Sequence, residues 1–193
     1  MKQIAQDLNL KATANSMFCK IFPKLCNLFG KYTLFGKFRG KNLEIYTIKF
    51  TNIKQFPQQL VVKSNLGLAE PFRIVARKRP FFICFHKIFD GDIYFTNNPI
   101  LDSRLLFSTN RQDLLNLILQ YDEIQDQFHN IWKTRKCDGT LSVNNNFIIY
   151  HEPFRLITKT TRERIKNVAN LICDITDIIK LLGRFTTQDN SMG

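Results

Sequence analysis

From Thr160 to Leu182 the apolar side chains return every third or fourth position without a break: Ile165, Val168, Leu171, Ile172, Ile175, Ile178, Ile179 and Leu182. At 3.6 residues per turn this pattern lines one face of a helix, and that face has to be buried against the rest of the fold. Thr160 and Glu163 stand ahead of it at capping-box spacing, and Gly183 follows where a helix takes a C-terminal glycine. The sequence therefore predicts one continuous helix over 160–182, packed on a sheet.

The sheet is written upstream. "YTLFGKFRGKNLEIYTIKF" (32–50) places β-branched and aromatic residues on both sides of "RGKN", the composition of a tight turn between antiparallel strands. A phosphate-binding loop would lead from a strand into a helix N-terminus; here a second strand-like run follows, so that reading fails. Gly36 inside the first strand marks a bulge or a close backbone approach. "QQLVVKS", "PFRIVARKR" and "RLLFST" read as further strands, and "FHKIFDGDIYFTNNP" as a structured loop or edge segment.

Helices surround these strands. "MKQIAQDLNL" carries Ile4, Ala5 and Leu8 at helical spacing, and "SMFCKIFPKLCNLFG" is an amphipathic segment interrupted by Pro23. "TNRQDLLNLILQYDEIQDQFHNIWK" is one long helix or two, broken near Tyr121, with Thr109 or Asn110 as N-cap. "GTLSVNNNFIIYHE" reads as a small hairpin, Asn144 and Asn145 supplying the turn. The fold class expected is α+β: a mainly antiparallel sheet with N-terminal helices, a middle helix or helix pair, a small hairpin and a long C-terminal helix. Residues 1–185 form a single domain, and 186–193 a flexible tail.

The charge is lopsided. Residues 1–90 hold 16 Lys or Arg against 4 carboxylates, while residues 91–193 hold 12 of each, so the whole net charge of +12 sits in the first half. Such asymmetry favours an anionic partner, nucleic acid or an anionic membrane surface. The alternation in "FRIVARKR" puts Arg73, Arg77 and Arg79 on one sheet face. With Lys37, Arg39 and Lys41 of the hairpin they give a basic surface, and the expected polyanion-binding set is Arg39, Lys41, Arg73, Arg77 and Arg79. Single-stranded recognition also needs aromatic side chains beside the charges, and Phe38 next to Arg39 is the local candidate.

The order of elements, with "LFGKFRGKNLEIYT" and "DGDIYFTNNPILDSRLLFS", is similar to that of a family of uncharacterised bacterial proteins. Its members carry a G-x-[YF]-R-G-[KR] hairpin followed by a G-D-x-x-F segment; the matching residues are Gly36, Phe38, Arg39, Gly40 and Lys41, then Gly91, Asp92 and Phe95. The resemblance implies an α+β fold and supplies no activity.

The chemical motifs are few. His86, His129 and His151 lie far apart with no HxxxH or HxH spacing, and the five cysteines (Cys19, Cys26, Cys84, Cys137 and Cys173) contain no CxxC pair. Neither a metal site nor a disulfide framework is indicated, and the thiols read as reduced and buried. No GxSxG elbow, Walker loop or GxGxxG turn occurs, so no catalytic residue, metal or cofactor is expected. His151 and Glu152 fall on opposite faces of a strand, and Asp90 and Asp92 are explained by turn chemistry. No apolar run reaches the roughly 20 residues of a membrane-spanning helix, and Asp7 stands where a signal peptide is apolar. The expectation is a soluble cytoplasmic binding or accessory module, in which peripheral contact with a membrane is one form of polyanion binding. The alternative is a protein-protein interaction or assembly protein whose charge is incidental.

Overall fold

In the computed structural model of the chain, residues 1–14, 32–48, 58–68, 70–79, 93–133, 138–154 and 158–189 are described. Nine strands among them form one antiparallel sheet in the order β1-β2-β3-β4-β9-β8-β5-β7-β6. The strands are β1 (Lys11–Ala14), β2 (Tyr32–Phe38), β3 (Lys41–Ile48), β4 (Gln59–Asn65), β5 (Arg73–Lys78), β6 (Ile93–Tyr94), β7 (Leu105–Thr109), β8 (Thr140–Asn144) and β9 (Phe147–Pro153). The helices are α1 (Lys2–Asp7), α2 (Pro99–Asp102), α3 (Gln112–Leu119), α4 (Asp122–Trp132) and α5 (Lys159–Asp189). The architecture is α+β, and the long C-terminal helix lies on β4 and β9.

The β2–β3 hairpin closes through Arg39 and Gly40 alone, both at positive φ (48° and 76°), the combination that matches the right-handed twist of paired strands. Gly36 pairs with Leu43 in unbroken register, so it forms no bulge. It is a close approach: a Cβ there would meet the Leu10 side chain at 3.2 Å. The second hairpin turns at Asn145 and Asn146, one residue beyond the expected pair, with neither in the left-handed region. Asn144 holds it from the strand end, its side-chain oxygen accepting from the backbone N–H of Asn146 and Phe147, both at 2.9 Å.

Antiparallel register sorts the side chains into two faces. Leu34, Ile45, Val62, Tyr150, Leu141, Ala76 and Phe107 stand in one row across seven strands, all buried beneath the helices. Phe107, Phe128, Trp132 and Tyr150 continue the core as a chain of ring contacts with centroids 5.4 to 5.8 Å apart. On α5, Ile165, Val168, Leu171, Ile172, Ile175, Ile178 and Ile179 are buried, as the period requires.

The helix ends differ from expectation. Thr158, not Thr160, caps α5, its hydroxyl accepting from the Thr161 N–H at 3.1 Å. Gly183 does not terminate the helix, which runs on to Asp189. Neither Thr109 nor Asn110 caps α3: the Thr109 hydroxyl binds the Arg111 N–H, and Asn110 accepts from the Arg73 N–H. The α3–α4 break falls at Gln120–Tyr121, as the pattern predicts. The segment "IYFTNNP" supplies the edge strand β6, whereas the Pro23-containing amphipathic segment, Cys19, Cys26, Cys84, Cys137, His86, Asp90, Gly91 and Asp92 lie outside the described residues.

Candidate functional site

The five cations expected to form one surface fall in three places. Arg39 donates to Asp174 Oδ1 at 2.6 Å and to Asn170 Oδ1 at 3.5 Å, while Gln127 donates to the other Asp174 oxygen at 2.7 Å. The hydrogen bond to Asp174 raises the Arg39 pKa above the usual guanidinium value. Lys41 pairs with Asp177. These two residues fasten the hairpin tip to α5, on the helix side of the sheet. Arg79 is also engaged, donating from its guanidinium to the Asp102 carbonyl of α2 and from its backbone to Arg104.

Arg73 and Arg77 point the other way. They lie on β5 out of phase with the buried Ile74 and Ala76, four strand intervals from β3, roughly 19 Å at about 4.8 Å per strand. The expected cluster therefore does not coalesce. A different one replaces it: register places Lys11, Lys37, Lys63, Arg73 and Arg77 on the face opposite the helices, where the one carboxylate among the described strand residues is Glu44, across from Lys63. On the helix side Arg39, Lys41, Lys78 and Arg164 are each paired with a carboxylate.

Two rows give this opposite face its texture. The inner row, Thr33, Tyr46, Val61, His151, Thr140, Arg77 and Leu106, is the drier one: Val61 and Leu106 are buried, and burial lowers the pKa of both His151 and Arg77. The outer row lies at the end of the sheet near the two tight turns and runs Lys37, Asn42, Asn65, Phe147, Asn144, Arg73. Between the rows stands Phe35, 42% exposed, with Lys11 opposite it on β1. Lys63 Nζ sits 5.4 Å from the Phe147 ring centroid, a cation–π distance.

Phe38, the aromatic expected to serve single strands, is half-buried against the core on the helix side. Phe35 occupies the exposed position instead. The sequence carried the signal for Lys63 and Phe35 in the period-two alternation of "TLFGKF" and "LVVKS"; the pairing of β4 with both β3 and β9 decides that they share a face.

A buried ionic group lies under the N-terminal turns of α5. Glu152, 4% exposed, accepts from Arg164 Nε at 2.7 Å and Nη2 at 3.0 Å, and from the Tyr150 hydroxyl at 2.8 Å. His151 points away from it, as the strand alternation predicts. With its charge matched and its hydrogen bonds made inside the core, this group is a brace between sheet and helix.

Among the described residues no three His, Cys, Asp or Glu side chains are grouped so as to hold a metal ion. Nor is any helix among them long and apolar enough to cross a membrane. Of the residues that carry the bacterial-family resemblance, Gly36 to Lys41 form the first hairpin, Phe95 is exposed, and Gly91 and Asp92 are outside the described residues. No family model, no curated protein and no solved structure matches the chain.

Proposed function

We propose that the protein is a non-catalytic accessory module that holds a polyanion on the sheet face opposite its helices. The observation that carries this reading is the placement of charge: register puts five cations, Lys11, Lys37, Lys63, Arg73 and Arg77, and one carboxylate, Glu44, on that face of the described strands. Lys and Arg on such a surface displace condensed counterions from an anionic polymer, which makes the affinity depend on salt. Arg73 and Arg77 stay in the proposed site, Lys11, Lys37 and Lys63 join them, and Arg39, Lys41 and Arg79 serve the fold.

The test is a titration of the full chain into a labelled oligonucleotide at several ionic strengths. The log of affinity is expected to fall linearly with the log of salt, by about 0.7 to 0.9 per phosphate neutralised. A flat response, or no binding at low salt to either nucleic acid or anionic vesicles, contradicts the reading.

A protein-docking role has its own observation: Phe95, Ile100 and Tyr121 are exposed around α2 and the α3–α4 break. Association through them would be nearly independent of salt and would be weakened by Ile100→Asp, while nucleic-acid binding stayed unchanged.

A further inference from the structure

Resting on that reading, we propose that the polyanion is single-stranded nucleic acid, its bases stacking on Phe35 and Phe147 and its phosphates meeting Lys37, Lys63 and Arg73. The outer row crosses six strands, so it is about 24 Å long at about 4.8 Å per strand, room for several nucleotides of an extended strand. Cations stand at its two ends, Lys37 on β2 and Arg73 on β5, and Lys63 stands beside its middle. Such spacing suits a chain carrying a charge on every unit better than it suits a compact anion.

The aromatic side chains separate the single strand from other polyanions. Every base has a π-face, so exposed rings beside cations bind unpaired bases with little regard to sequence. Phe35 offers such a ring; Phe147 is half-buried with the Lys63 ammonium over its face, so a base stacks there by displacing that ammonium toward the phosphates. In a duplex the bases are stacked on one another, and their edges are reached by a helix or a two-stranded ribbon entering a groove. The described helices lie on the far side of this sheet, and among the described residues this face offers strands. The middle of the row carries Asn42 and Asn65, both exposed, whose amides donate and accept and so can meet base edges. An anionic membrane rewards clustered Lys and Arg with apolar groups that insert, and it has no use for amides between the charges.

The experiment compares a labelled 20-nucleotide single strand, the same sequence as a duplex, and vesicles containing phosphatidylserine, using the full chain at low salt. The single strand is expected to bind most tightly. Phe35→Leu and Phe147→Leu are each expected to weaken it about 5- to 100-fold while leaving the salt slope unchanged, because stacking is lost and phosphate contacts are kept. Phe35 is exposed, so its variant is expected to keep the wild-type thermal midpoint; should Phe147→Leu unfold, Phe35→Leu decides alone. Equal or tighter duplex binding, phenylalanine variants that bind as wild type, or binding to vesicles and not to nucleic acid would each overturn this inference while leaving the polyanion reading intact. Binding to none of the three would overturn both.

Discussion

Glu152 is the residue on which the interior charge balance turns. Its carboxylate accepts from two nitrogens of the Arg164 guanidinium and from the Tyr150 hydroxyl, so removing it takes away three charge-assisted hydrogen bonds at once. Glu152→Ala is expected to cost roughly 3–5 kcal/mol in urea unfolding, and Tyr150→Phe about 1–2 kcal/mol, because the phenylalanine removes one hydrogen bond and keeps the ring packing. An unchanged midpoint for Glu152→Ala would contradict the brace. His151, one residue before, is desolvated, and its folded pKa lies below the usual histidine value of 6.5. A base with a depressed folded pKa contributes stability above its unfolded pKa and loses it as pH falls, since the unfolded chain takes the proton first. Stability should therefore decline as pH drops below about 6.5, and His151→Gln should flatten that decline relative to wild type. Burial also pushes the Cys173 thiol up to about 11. Iodoacetamide at pH 7 should leave Cys173 unmodified in the folded protein and label it after denaturation, as read by mass spectrometry of its peptide.

At the scale of elements, the long C-terminal helix was legible because its signal is periodic and local: each apolar position predicted from 165 to 179 is buried. Its ends were less so. A capping box requires only residues three apart, and Thr158 and Thr161 meet the geometry where Thr160 and Glu163 met the pattern. Gly183 invited a C-cap, yet a glycine in a helix interior costs only about 1 kcal/mol against alanine, which an otherwise favourable helix absorbs. The difference can be measured by its sign. Gly183→Ala is expected to stabilise the protein by up to about 1 kcal/mol, whereas Gly40→Ala, at a φ of 76°, should destabilise it by about 1 kcal/mol or more. Loss of stability in Gly183→Ala would mean that the helix ends there. Ile172 is fully buried in the same helix, and Ile172→Ala should cost roughly 2–5 kcal/mol. The β2–β3 hairpin was equally legible, from its turn residues. The β8–β9 turn falls one residue beyond the pair its composition predicts, because the three consecutive asparagines at 144–146 leave its position to strand register.

For the whole molecule, the charge asymmetry along the chain became an asymmetry between sheet faces, and the sequence alone had no means of making that conversion. Alternation assigns each strand two faces but does not say which face of β2 joins which face of β5. The order β2-β3-β4-β9-β8-β5 supplies the answer, and it depends on C-terminal strands inserted between N-terminal ones. Arg39 and Lys41 thus left the proposed site because α5 presents Asp174 and Asp177 to them, and Lys63 entered it because β4 lies mid-sheet. The most direct test of this division is the salt dependence of single-strand binding for two full-length variants, each with its fold checked by circular dichroism. Replacing Lys37, Lys63 and Arg73 together by Gln should weaken binding and make the log–log slope shallower by about 2, at about 0.7 per lost contact. Replacing Arg39 and Lys41 by Gln should leave the slope unchanged and lower the thermal midpoint. The opposite pattern, with the slope altered by the hairpin-tip pair and indifferent to the sheet-face triple, would contradict the account.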